Sequence, residues 1–284
     1  MEWSAWTYEA LPKTILYAAL LVIGGTAVSR WMVATLTGPV SELDQALERF
    51  GVVASSVALA ALLLRVFGHT ATVFGAADAL HWSNIRVIAI ESRWGQAWHL
   101  QFIAAVAVMA CAFSIRLKRH AGWLLYTIAA FALCAMIPRL GHGATSIGHL
   151  LLHILHLVGV SAWLGTLTVI VWLYFRNSQV RDTMAILLQR FSTIALPAAG
   201  LTAITGVIAA AIYVESFSNL LTTAYGRTLL IKIGGFVCIM TCGWSNWRRM
   251  RTSKAPRPQT LIAELVFTAA VLVITGVLTE TEHS

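Results

Sequence analysis

Three histidines, His149, His153 and His156, sit in the stretch HLLLHILH, whose other positions are all leucine or isoleucine. On a helix turning about 100° per residue they fall within an arc of about 60°, so all three imidazoles leave the same face. Along the axis His149 and His153 are about 6 Å apart and His153 and His156 about 4.5 Å, so either neighbouring pair can share a metal ion. The whole set spans about 10.5 Å, too far for one ion. The pattern predicts a ladder: an outer site and a deeper site, with His153 common to both. Imidazole suits Cu(II), Zn and Fe, whereas thiolate and thioether favour Cu(I). Just upstream, the glycine-rich PRLGHGATSIGH carries His142, whose loop is expected to swing it over the outer end of the ladder.

The elements that must hold these histidines follow from composition. Of 284 residues, 58% are hydrophobic and only 11% charged. A soluble domain carries about a quarter of its residues charged. The chain therefore reads as an all-α, polytopic membrane protein in contact with the lipid bilayer. A spanning helix needs roughly 20 apolar residues. Eight stretches qualify, at 12–33, 50–68, 97–115, 121–138, 149–175, 189–213, 226–247 and 260–279. The N-terminal MEWSAWTYEALPK is acidic and aromatic where a cleaved signal would be basic, so the first span is expected to stay.

The formal net charge of +8 is set by loop topology. One set of alternate loops holds Arg30, Arg49, Arg116, Lys118, Arg119, Arg176, Arg181, Arg190, Arg248, Arg249, Arg251, Lys254 and Arg257, thirteen of the twenty basic residues. The positive-inside rule puts these loops in the cytoplasm and both termini on the outer side. The loops are short and hold no readout motif, so nucleic acid is excluded as a partner. On this topology every histidine but His120 belongs to the outer side. His69 and His99, in the outer parts of the second and third spans, join His142 as further candidate metal ligands.

The chain also repeats itself. RFGVVASSVALAALL at Arg49 resembles RFSTIALPAAGLTAI at Arg190, and VIGGTAV at Val22 resembles WLGTLTV at Trp163, both at an offset of 141. SRWGQAWHLQF at Ser92 matches TAYGRTLLIKI at Thr223 at an offset of 131. Four helices per unit is an even number, so the units, 1–140 and 141–284, are expected to be parallel repeats about an axis along the membrane normal. At the offset of 141 the ladder histidines face Tyr8, Pro12 and Ile15, so the first unit carries no equivalents.

HILHLVGVSAWLGTLTVI at 153–170, RFSTIALPAAGLTAITGVIAA at 190–210 and LLTTAYGRTLLIKIGGFVCIMTCGWSNWRR at 220–249 together resemble the copper resistance protein D family. The resemblance implies a bacterial inner-membrane protein that handles copper rather than an enzyme, beside a periplasmic copper carrier of the CopC type. It implies His149, His153 and His156 as the functional positions. Trp163, Gly165, Tyr225, Gly226 and Lys232 match the family pattern and read as structural.

Sulfur lies elsewhere. Cys238 and Cys242 are on one face of the seventh span with Met240 between them, and Cys111 is in the inner half of the third; a sulfur exit site below the histidines is one reading, small apolar packing the other. Lys232 is expected to snorkel outward along its apolar stem, and Glu264 to lie near the cytoplasmic end of the last span. Residues 78–90 read as an amphipathic segment on the outer surface, covering the site. A rival to copper is a b-type haem, which needs axial histidines facing each other from different helices, His153 or His156 against His69 or His99. HExxH and ATP-binding motifs are absent.

Overall fold

The computed structural model describes residues 3–34, 41–140, 146–176, 181–214, 216–252 and 254–280. These residues are helical almost throughout and include no strand. The helices are α1 (Trp3–Ala34), α2 (Ser41–Phe74), α3 (Trp82–Arg86), α4 (Arg93–Ser114), α5 (Arg119–Met136), α6 (Ile147–Val160), α7 (Thr166–Arg176), α8 (Arg181–Tyr213), α9 (Asn219–Thr222), α10 (Ala224–Arg251) and α11 (Pro258–Leu278). Among the described residues eight helical stretches are long and apolar enough to cross a membrane, with α6 and α7 forming one of them, Ile147–Arg176. A π-helical turn at Ser161–Gly165 joins those two halves. The chain is thus an all-α polytopic membrane protein. Several helices outrun the apolar stretches that announced them, because polar first turns such as Glu42 and Asp44 on α2 continue the helix beyond its oily part.

In an apolar solvent, helices associate by close packing of small residues rather than by hydrophobic burial. That is how α1 meets the π turn. α1 lies at the centre, against α2, α5, α7, α8, α11 and the π turn. Its Gly24 and Gly25 sit on Ser161 and Gly165; a Cβ on Gly25 would strike the Gly165 carbonyl, and one on Gly165 the Leu21 carbonyl. Gly24 and Gly165 are the residues that the offset of 141 aligns.

A second pair of aligned positions builds the same joint twice. Ser92 caps α4 with φ −91° and ψ 156° and accepts from Gly95 N at 2.9 Å. Thr223 caps α10 with φ −87° and ψ 156° and accepts from Gly226 N at 3.0 Å. Each hydroxyl also donates back to a carbonyl four residues upstream, Ile88 O and Asn219 O. At both joints the chain arrives in a short helical segment whose carbonyls press on the glycine, leaving no room for a Cβ. The SRWG and TAYG matches therefore encode a corner.

The segment before the first corner differs in one respect from its expected role. Residues 82–91 are helical and carry exposed Trp82 and Ile90, as a surface segment should, but they pack on α2 and α4 rather than over α6.

The end of the bundle opposite the histidines carries the basic residues, partly balanced. Arg30 pairs with Asp44 at 3.1 Å, Arg119 with the same carboxylate at 3.6 Å, and Arg116 with Glu48. Arg248, Arg249 and Arg251 fill the last turn of α10, where cations also complement the helix dipole.

Candidate functional site

α6 begins at Ser146, whose hydroxyl accepts from His149 N at 3.1 Å and fixes the helix start. From there the 3.6-residue period lays His149, His153 and His156 along one face, and α6 packs that side of the chain against α8. The partners on α8 are hydroxyls. His153 Nε2 is 2.8 Å from the Tyr213 hydroxyl, with the two rings nearly parallel at 5.8 Å. His149 lies on the outer side of the same phenol ring, 6.3 Å between centroids. One turn deeper, His156 Nδ1 is 2.9 Å from Thr205 Oγ1. Gly206 lies beside that imidazole: a Cβ there would be 3.5 Å from His156 Cε1, ordinary contact.

The tautomer of His156 follows from proton counting. A threonine hydroxyl has one proton, and Thr205 donates its proton to the Leu201 carbonyl at 2.6 Å. Thr205 therefore accepts from His156 Nδ1–H. The lone pair is left on Nε2, the form in which histidine binds metals with its other nitrogen held by a neighbour. His153 is placed differently, because its Nε2 is the nitrogen facing Tyr213. A metal ion at that nitrogen has to displace the phenol or take its oxygen as a neighbouring donor. Among the described residues no group of three His, Cys, Asp or Glu side chains is close enough to hold a metal ion, so this is a face of paired donors.

Two features lie at and below the deepest histidine. Lys232 on α10 is half-buried and close enough for its charge to act on His156. Trp163, in the π turn, meets Phe236 edge to face at 5.7 Å. The two cysteine sulfurs of α10 do not continue this line. Around α10 Phe236 and Met240 are about 40° and 80° from Lys232 on one side, while Cys242 and Cys238 are about 80° and 120° away on the other. Cys242 has Glu264 of α11 as its charged neighbour. Glu264 itself is buried and accepts from Asn246 Nδ2 at 3.1 Å.

Two of the remaining candidate ligands, His69 and His99, lie on α2 and α4. His69, on α2, bonds Glu9 of α1 through Nδ1 at 2.7 Å and stacks on Trp94 at 4.4 Å and 6°. It belongs to a polar network that the sequence reading missed. Lys13 pairs with Glu280 and lies 4.0 Å from Glu9, while Arg65 bonds Gln101 at 3.1 Å and covers the Trp94 ring. The signal was present as a single arginine in the apolar run ALAALLLRVFG. His99 is exposed on α4, beside Trp98. His142 lies outside the described residues. The haem reading requires His153 or His156 to face His69 or His99; His153, His156 and His69 meet Tyr213, Thr205 and Glu9 across helices.

These features define a multi-pass helical membrane protein with imidazoles set along one internal helix face. Comparison with known proteins narrows the class. Residues 6–151 match the copper resistance protein D-like N-terminal domain, and residues 185–278 match copper resistance protein D. The chain belongs to the copper resistance protein D family. His149 falls near the end of the first match, and His153 and His156 in the stretch between the two. Copper transport protein CutJ of Bacillus subtilis (strain 168) is 30% identical over 208 residues, covering 69% of this chain and 38% of its own length. The chain thus spans well under half of that relative. No solved structure matches it. The family and the relative make this a copper-related membrane protein, and their names speak of resistance and transport rather than catalysis.

Proposed function

We propose that the protein takes copper at the histidine-bearing end of α6 and imports it or passes it on within the membrane, with His149, His153 and His156 as successive ligands. The observation that carries this reading is the pairing of His153 and His156 with Tyr213 and Thr205 inside an otherwise apolar span. Polar groups at that depth are costly and usually functional. Each imidazole has a hydroxyl at one nitrogen, and at His156 proton counting leaves Nε2 as the acceptor.

The thirteen basic residues in alternate loops favour an orientation in the inner membrane with both termini, and so the histidine end, in the periplasm. A soluble periplasmic copper carrier of the CopC type would then deliver the ion to His149. Copper is the cargo, and the side chains hand it inward by ligand exchange along the face. His69 is left out of the ligand set because Glu9 and Trp94 hold it in a different part of the bundle.

Metal analysis and an optical spectrum of the purified chain test the reading. Bound copper without a Soret band is the expected result. A Soret band with no copper would replace the proposal by haem.

A further inference from the structure

Positions that the repeat offsets align carry polar groups but place their charge differently. The offset of 141 sets Gly206 opposite Arg65, and the offset of 131 sets Lys232 opposite Gln101. In the first unit Arg65 is 5% exposed and fills the interior, held by Gln101 and the Trp94 ring, with Glu9 in electrostatic reach. That interior is plugged by a satisfied cation. In the second unit glycine replaces the arginine, and the His156 ring enters the space. The cation is supplied instead from α10, by Lys232.

Among the described residues Lys232 makes no hydrogen bond and no ion pair. α10 meets the π turn that follows α6 through Phe236 on Trp163, 5.7 Å between ring centroids, and Lys232 lies one turn before Phe236 at about 40° around the helix, its side chain directed back towards the level of His156. Its charge acts on His156. An ionisable side chain inside a membrane span is expensive and marks function by default, and among the described residues this one has no acidic partner to explain it as a structural pair.

We propose that Lys232 sets the charge selectivity of the histidine site, admitting a monovalent metal ion in preference to a divalent one. The inference rests on the ligand role given above to His153 and His156. Coulomb energy scales with the product of the charges, so a fixed unit cation penalises a divalent ion twice as strongly as a monovalent ion at the same place. Little salt reaches this depth to screen it. In affinity the relation is a square: if removing the charge raises monovalent binding n-fold, it raises divalent binding n²-fold. A lysine that only snorkels along lipid has no such signature, because its loss would change both ions alike or neither.

The test uses the full chain, with Ag(I) as a redox-inert monovalent probe and Zn(II) as the divalent one, in competition titrations of wild type, Lys232→Gln, Lys232→Arg and His153→Ala. The expected result for Lys232→Gln is a gain of about threefold for Ag(I) and about tenfold for Zn(II), following the square relation. Lys232→Arg keeps the charge and keeps the wild-type ratio. Thr228→Glu, one turn away on α10, offers Lys232 an i,i+4 partner and gives the same Zn(II)-weighted gain, a second route if Lys232→Gln does not accumulate. Equal gains for both ions, or an unchanged ratio in the uncharged variants, overturn the inference while leaving the histidine site standing. Wild-type binding that His153→Ala does not weaken removes the site itself, and the inference with it.

Discussion

His153 Nε2 and the Tyr213 hydroxyl lie 2.8 Å apart, tying the middle histidine of α6 to the last residue of α8. The contact restricts how the imidazole turns, and its phenol is also the ring beside His149. One tyrosine thus touches the two outer members of the histidine face.

Tyr213→Phe keeps that ring and removes only the hydroxyl. Partners that orient a ligand typically contribute 10–100-fold to metal affinity. Copper affinity in competition with a chelator should therefore fall about tenfold or more, with the helical circular dichroism unchanged. Unaltered affinity would mean that the hydroxyl does not position His153.

Gly206 tests the space at the deeper site. Gly206→Ala adds a methyl at 3.5 Å from the imidazole, an ordinary contact, and should bind copper like the parent. Gly206→Leu drives a branched chain into the volume occupied by His156. It should weaken copper binding about tenfold or more, the scale on which a displaced ligand partner counts, while α6 and α8 still pack above and below. Normal binding by the leucine variant would show that His156 takes no part.

The network around His69 predicts a different phenotype. Removing one partner of a buried hydrogen bond leaves the other unsatisfied, at about 1–3 kcal/mol. Arg65→Met should lower thermal stability on that scale, since the buried Gln101 Oε1 loses its donor. His69→Ala should leave the copper stoichiometry of folded protein unchanged. A loss of bound copper in folded His69→Ala protein would return His69 to the ligand set.

Orientation can be read directly. Reporter fusions after His283 should score as periplasmic and fusions within 250–257 as cytoplasmic. The reverse pattern would move the histidine end to the cytoplasm and invert the direction of handover.

The histidine face was legible in the sequence because it depends on local spacing, 149, 153 and 156 on a 3.6-residue period; the SRWG and TAYG stretches read there only as a repeat, and the capping hydroxyl three residues before each glycine came from the structure. Tyr213 was not, since an aromatic residue at the end of a span looks the same whether it anchors to the interface or bonds a histidine on another helix. The Lys13–Glu280 pair joins residues at opposite ends of the chain and has no local signature. Lys232 reads from sequence as a snorkelling side chain; only the fold, which sets Phe236 of α10 on Trp163 of the π turn after α6, brings its charge within reach of His156. The face on which Cys238 and Cys242 lie needed the same information, because their i,i+4 spacing says that they share a face and not which neighbour it meets.

The measurement that bears most directly on the account is copper binding by His153→Ala. His153 is a member of both neighbouring pairs, so its loss leaves neither intact, and the cost of a missing ligand is at least that of a missing orienting partner, 10–100-fold. Alanine adds no polar group to the span, and Tyr213, which loses its imidazole partner, is the last residue of α8, so the variant should insert and fold. His120→Ala, on an exposed residue of α5 at the opposite end, is the control. The account predicts copper affinity or stoichiometry reduced at least about tenfold in His153→Ala and unchanged in His120→Ala. Folded His153→Ala protein that binds copper like the wild type would contradict it.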